Sequence, residues 1–238
     1  HINANGGSNA SGVIIDPKTG EVRALVGSAD YKNEEWGKVN MVTTDRQPGS
    51  SFKPIYYSYA LADGVINPAT ILHDKPTDFG GGYKPLNADK QFRGDISVRK
   101  AISQSLNIPS VEVMQKYGID KSVQAANNLG ISSIKKDNDY GLSLALGSAE
   151  APLMQMTNAY AAFANLGRQF ENALVIQVKD KFGKTIQSSN KTSKQAITSY
   201  AHLRDRYRFA PCSACRLPIA KAATVRQSFP LYYAPCPV

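Results

Sequence analysis

At 238 residues, 42% apolar and 20% charged, the chain is long enough for one sizeable domain, or a domain with a tail, and has ordinary globular composition. Its formal charge of +9 is no nucleic-acid signature. Arg204, Arg206, Arg208, Arg216, Lys221 and Arg226, against Asp205 alone, carry much of it, and residues 1–199 show no basic cluster interleaved with aromatics.

No apolar run approaches the ~18–20 residues of a membrane helix. The richest stretch, 141–164, is broken by Ser143, Ser148, Glu150, Gln155, Thr157 and Asn158. Nothing at the start has the regions of a signal peptide, and a chain opening at His1 without methionine reads as an excised or processed piece.

Residues 1–10 are polar and rich in Gly and Asn, a loose lead-in. The apolar, β-branched run at 11–16, the turn residues Pro17-Lys18-Thr19-Gly20 and a second run at 21–27 predict a β-hairpin. Residues 28–49 are irregular and end in Arg46-Gln47-Pro48-Gly49. A helix is expected from about Ser50 to Leu61. Pro54 fits only in its first turn, where backbone N–H groups have no intrahelical partner, so the helix starts near Ser50.

A long loop follows at 64–94, with Gly80-Gly81-Gly82 and three prolines. Helices are expected at 97–105, from Pro109 to about Tyr117, and at 121–129, the last stopped by Gly130. Residues 151–165 read as an amphipathic helix ending at Gly167. A second hairpin is expected at 174–178 and 184–186 around Asp180-Lys181-Phe182-Gly183, and 193–198 is helix-like. Hairpins mixed with helical clusters indicate an α+β fold rather than alternating α/β.

After Ser199 the character changes. Gly183 is the last of 18 glycines, while five of the 13 prolines and all three cysteines fall within 201–238. The expected division is a domain at 1–199 and a divergent tail at 200–238, disordered or out of frame. His202, Cys212, Cys215 and Cys236 include half of a zinc-binding spacing, Cys212-x-x-Cys215, but the second half is missing, so no metal is expected. The cysteine-free body suits an extracytoplasmic protein.

Serine acylation needs a nucleophile, a base beside it and donors for the oxyanion. Ser-x-x-Lys on a helix delivers the first two, because residues three apart share a face. The lysine must be neutral to take a proton, so its surroundings must lower its pKa from ~10.4. The pattern occurs at Ser50/Lys53, Ser97/Lys100, Ser132/Lys135, Ser133/Lys136 and Ser188/Lys191. Ser50 alone follows a Pro-Gly turn and opens a helix with the lysine one turn inside. The competing reading of Ser50 is an ordinary N-cap serine.

The segment Arg46-Gln47-Pro48-Gly49-Ser50-Ser51-Phe52-Lys53-Pro54 resembles the nucleophile segment of class A, bifunctional penicillin-binding proteins. Ser103-Gln104-Ser105-Leu106-Asn107-Ile108-Pro109 resembles the family's Ser-x-Asn motif in its setting. The likeness continues at Tyr140-Gly141-Leu142-Ser143-Leu144-Ala145-Leu146-Gly147-Ser148 and at Ala159-Tyr160-Ala161-Ala162-Phe163-Ala164-Asn165. Asp16 and Thr19-Gly20-Glu21-Val22 match the domain's opening strands, so the resemblance covers roughly residues 8–199 in the family's order.

That resemblance implies the penicillin-binding/serine β-lactamase-like transpeptidase fold: an antiparallel sheet with a helical subdomain, here lacking its last strands. It implies catalytic roles for Ser50 as nucleophile, Lys53 as base, Ser105 as proton relay and Asn107 as orienting residue. Peptidoglycan stem peptides ending in D-alanyl-D-alanine would be substrates and β-lactams covalent inhibitors, with no cofactor and no nucleic acid. The parent protein would be membrane-anchored on the extracytoplasmic face and carry a glycosyltransferase domain. The bland reading of Ser105 and Asn107 is polar capping at a helix end, and Ser188-Ser189-Asn190 also fits Ser-x-Asn.

The family's third motif, Lys-Thr/Ser-Gly on a strand edging the cleft, occurs only as Lys18-Thr19-Gly20, in the hairpin turn and upstream of Ser50. Lys191-Thr192-Ser193 comes nearer in order, but no β-pattern surrounds it. Loss of one oxyanion donor alone costs ~10²–10³ in rate, so negligible transpeptidation is expected of this chain. The alternatives are a non-catalytic penicillin-recognition module or truncated pseudoenzyme and, less favoured for want of Glu-x-x-Leu-Asn, a serine β-lactamase.

Overall fold

The computed structural model describes residues 7–135, 138, 140–189 and 192–197. The tail at 200–238, with His202, Cys212, Cys215 and Cys236, lies outside the described residues. Strands β1 (Gly12–Ile15) and β2 (Val22–Val26) form the expected hairpin, in the register Gly12 to Val26. Its turn holds Lys18-Thr19-Gly20: Asp16 Oδ1 accepts from the Lys18 N–H at 2.9 Å, and the Asp16 carbonyl from the Gly20 N–H at 2.8 Å. This Lys-Thr-Gly is turn chemistry.

Helix α1 (Lys53–Ala62) follows a 3-10 turn over Gly49–Phe52. Pro54 therefore sits in the first α-helical turn, where no backbone N–H is missed. Phe52, Ile55, Tyr56 and Ala60 are fully buried, three and four residues apart, and form the stripe that faces the core. Helices α3 (Asn107–Tyr117) and α4 (Ile119–Asn128) pack against that stripe. The single residue Gly118, at φ +99, joins them. Tyr56 and Tyr57 carry hydroxyls into this core and satisfy them on Ser110: Tyr56 donates to its carbonyl at 3.1 Å, and Tyr57 meets its Oγ at 3.1 Å.

The loop expected at 64–94 is partly ordered as sheet. Strand β4 (Ile71–Asp74) pairs antiparallel with β5 (Gly94–Ser97), which leads into the short helix α2 (Val98–Ser103). The alternation is disguised in the sequence because one of the buried positions of β4 is Asp74 rather than an aliphatic residue. Strand β3 (Asp45–Arg46), in the segment read as irregular, pairs with β6 (Ala151–Pro152), immediately before helix α5 (Leu153–Ala164). Helix α5 packs against β1 and β7 (Arg168–Phe170).

The second hairpin forms as β8 (Gln177–Lys179) and β9 (Thr185–Ser188), with Asp180 Oδ1 accepting from the Phe182 and Lys184 N–H groups in the turn. The helix expected at 193–198 is absent from its described residues, 193–197. Strand β10 (Ser193–Gln195) pairs antiparallel with β7, and Ile197 is buried behind it. Leu166 at φ +54 and Gly167 at φ +84 turn the chain after α5 so that β7 presents an open edge. Pairing with that edge overrides the local helical preference of Lys-Gln-Ala. The described residues form an α+β domain of helices and five two-stranded antiparallel ladders.

Candidate active site

Ser50 is exposed in the 3-10 turn, and its carbonyl accepts from the Lys53 N–H, closing an i to i+3 ring. Residues three apart eclipse in a 3-10 turn, so the two side chains leave the backbone on the same side. The N-cap reading of Ser50 fails: neither the 3-10 turn nor α1 has a side-chain cap, and it is Ser51 whose Oγ bonds the Pro48 carbonyl at 2.7 Å. The rival serines have structural duties. Ser97 caps α2 by accepting from the Lys100 N–H, Ser132 Oγ accepts from Gln155, and Ser133 Oγ donates to the Glu150 carbonyl. Lys136, Asn190 and Lys191 lie outside the described residues.

Lys53 is 1% exposed, although it is a lysine. Burial disfavours its charged form and brings the amine from 10.5 down to about 8. Its Nζ donates to the Ser105 carbonyl at 2.7 Å, to Ser105 Oγ at 3.3 Å and to Asn107 Oδ1 at 2.8 Å. Among the described residues it forms no ion pair with a carboxylate.

Ser105 lies in the joint between α2 and α3. The α2 helix ends at Ser103, and Ser105 itself is left-handed at φ +53. That conformation costs a non-glycine residue about 1–2 kcal/mol. The strained residue offers both its carbonyl and its hydroxyl to Lys53. The structure thus brings three of the four expected site residues into one hydrogen-bonded cluster, with Ser50 one turn from the cluster's amine.

Two residues behind Ser50 were not singled out for the site from the sequence. A Cβ on Gly147, at φ +74, would lie 2.2 Å from the Gly49 carbonyl oxygen, so only glycine lets the 3-10 turn Leu142–Leu146 lie this close to the Ser50 turn. Tyr160 of α5 donates to the Ser51 carbonyl at 2.8 Å. Both residues lie in segments that carry the family resemblance, but nothing in their spacing points to backbone contacts about a hundred residues away. A cavity of about 240 Å³ lined by Trp36, Met41, Arg46 and Met156 involves none of the four site residues.

Residues 10–203 match the profile of the penicillin binding protein transpeptidase domain. Penicillin-binding protein 1C of Escherichia coli is 39% identical over 163 residues, 68% of this chain and 21% of that protein. Penicillin-binding protein 1A of Neisseria meningitidis is 33% identical over 178 residues, 72% of this chain and 22% of that protein. The chain thus spans about a fifth of the length of these relatives. Among solved structures, penicillin-binding protein 1A of Haemophilus influenzae superposes with a TM-score of 0.68 at 28% identity, over 80% of this chain and 28% of that one. The PonA1 protein of Mycobacterium tuberculosis, in complex with penicillin V, superposes with a TM-score of 0.71 at 25% identity, over 79% and 52%.

Proposed function

The chain belongs to the penicillin-binding protein transpeptidase family, and from that premise we propose that it is a serine D,D-transpeptidase unit of peptidoglycan synthesis with Ser50 as the acyl-accepting nucleophile. One observation carries the assignment: a buried lysine, its amine brought down to about 8, sits one turn from an exposed serine and between Ser105 and Asn107. At that value a useful fraction of Lys53 is neutral near pH 7–8, which general-base catalysis needs.

In the proposed reaction Ser50 Oγ attacks the carbonyl between the two terminal D-alanines of a stem peptide, and Lys53 takes its proton. The new ester bond forms as the peptide C–N bond breaks. Ser105 Oγ passes a proton to the departing D-alanine nitrogen, which leaves as an amine. Asn107 holds Lys53 and the substrate amide. An amine from a neighbouring stem peptide then displaces Ser50 and forms the cross-link. A β-lactam enters the same path, and its opened ring stays on Ser50.

No Lys-Thr-Gly follows Asn107 in the sequence. The four named residues do not themselves include the cation, hydroxyl and oxyanion donor that this strand supplies in the family. We assign negligible transpeptidation to these 238 residues by themselves, and a penicillin-recognition module is the second reading. The transpeptidase unit is assigned to residues 1–199 and a separate tail to 200–238. The site would work on the extracytoplasmic face of the membrane, in a longer parent protein with an anchor and a glycosyltransferase domain.

Mass spectrometry after incubation with penicillin tests the assignment. A mass increase equal to intact penicillin, mapped to the peptide holding Ser50 and lost in Ser50→Ala, is expected. No adduct on the unaltered chain, or one that persists in Ser50→Ala, sinks it. Rapid nitrocefin turnover would point to a β-lactamase instead.

A further inference from the structure

Helix α3 starts at Asn107 with backbone N–H groups that no intrahelical carbonyl can reach, and its N-cap residue, Leu106, has no side chain to cap them. The Asn87 carboxamide caps them from a loop twenty residues upstream. Its Oδ1 accepts from the Asn107 N–H at 2.8 Å and the Ile108 N–H at 3.5 Å. The carboxamide has no freedom to flip, because its Nδ2 donates to Asp74 Oδ1 at 2.7 Å and to the Gln91 carbonyl at 2.8 Å.

Asp74 is wholly buried. Its second oxygen accepts from the Arg93 N–H at 2.9 Å, with the Arg93 guanidinium 3.9 Å away. A buried carboxylate held on both oxygens is a fixed point rather than a mobile charge.

The neighbouring Leu86 carbonyl accepts from Asn107 Nδ2 at 2.8 Å. With that nitrogen committed, Asn107 is left with its oxygen to face Lys53 Nζ, as observed at 2.8 Å. Two adjacent loop residues therefore hold Asn107 by its backbone and by its side chain. Were the carboxamide of Asn107 to turn over, Lys53 would meet a second donor in place of an acceptor.

We propose that Asn87, fixed by Asp74, is a positioning residue for the acylation site, holding Asn107 so that its carboxamide oxygen meets the Lys53 amine. The inference rests on the reading of Ser50 as nucleophile and deepens it by adding a support for the base. Asn87 makes no hydrogen bond to the amine; it acts through Asn107.

The test follows the Lys53 amine itself, by NMR titration of the full chain labelled with ¹³Cε-lysine, the resonance being assigned by its loss in Lys53→Met. In Asn87→Ala the ammonium loses a well-aimed acceptor, so the midpoint is expected to fall by about one pH unit. Asp74→Asn loosens the same carboxamide and is expected to give a smaller fall; it decides the matter should Asn87→Ala fail to fold. In the double variant Asp74→Asn/Asn87→Asp, donor and acceptor change places across the 74–87 hydrogen bond and an oxygen at position 87 still caps α3, while the bond to the Gln91 carbonyl is lost. The midpoint is expected to return part of the way to that of the unaltered chain.

Labelling of Ser50 by a fluorescent penicillin, compared at equal folded fraction at about pH 9, where the amine is largely neutral with either midpoint, should fall about tenfold in Asn87→Ala because the base is no longer held in place, and should partly recover in the double variant. A midpoint unchanged in folded Asn87→Ala, or in Asp74→Asn where that variant stands in for it, overturns the inference. So does a double variant no nearer the unaltered chain than Asn87→Ala. The titration needs no acylation, so a chain that penicillin fails to label sinks the nucleophile assignment alone and leaves the positioning role to its own measurement.

Discussion

The Tyr160 hydroxyl donates to the Ser51 carbonyl at 2.8 Å, fastening helix α5 to the turn that carries Ser50. The same ring lies edge-on to Phe163, with centroids 5.6 Å apart, so its packing does not depend on the hydroxyl. Tyr160→Phe isolates the hydrogen bond. A loss of about 1 kcal/mol in urea denaturation is expected, together with a few-fold slower labelling of Ser50 by penicillin. Unchanged labelling would mean that the turn holds its shape without α5.

Gly147 is the second clamp on that turn. In Gly147→Ala the new Cβ would meet Gly49 backbone atoms at 2.2 and 2.6 Å, in a left-handed conformation that costs an alanine ~1 kcal/mol or more before any clash. Backbone cannot move aside as a side-chain tip can. Destabilisation of ~2 kcal/mol or more and a loss of Ser50 labelling of at least about tenfold are expected. Gly141→Ala is the control: its Cβ meets nothing within 4 Å and its φ is −80°, so stability should be unchanged or slightly raised.

Acylation should follow the neutral fraction of Lys53. With the amine at about 8, the rate of penicillin labelling should rise about tenfold per pH unit on the acid side and level off above that value. A profile flat from about pH 6 to pH 9 would show that the Lys53 amine is not the base. Lys53→Met should abolish labelling at every pH.

The same group links stability to pH. Burial holds Lys53 at about 8 in the folded chain, below the ~10.4 of an unfolded lysine. Between those values the unfolded chain binds the extra proton, so the Lys53 contribution to stability rises with pH across that window. Below about 8 the cost of burying the charge is present in full. Lys53→Met removes this dependence: its stability advantage over the unaltered chain, measured by urea denaturation, should shrink from about pH 8 to pH 10. Above pH 10 the buried Tyr56 and Tyr57 act oppositely in both proteins, since burial raises their hydroxyls and the folded state then keeps the extra protons. An advantage that grew with pH would contradict a buried, proton-shedding lysine.

The local devices were legible in the sequence. The hairpin at β1–β2, the helix behind Pro54, the stop at Gly130 and the pairing of Ser50 with Lys53 depend on residues a few positions apart, and short-range periodicity reports such neighbours. The helix expected at 193–198 shows the limit of that information. Ser193–Gln195 is a strand because β7, more than twenty residues earlier, presents an edge to it. The β4–β5 pair is not legible in the sequence because Asp74 stands where the alternation calls for an apolar residue.

For the candidate site, the chain's own pattern named the hydroxyl and the amine and set them one turn apart. Only the folded chain decided that the amine is buried and therefore lowered, and that Ser105 and Asn107, 52 and 54 residues on, supply its acceptors. Only the fold recruited Asn87 to cap a helix whose own N-cap cannot. The division has one physical cause. The local conformation of a turn is set by bonded neighbours, whereas desolvation and the partners of a polar group depend on which distant segments close around it.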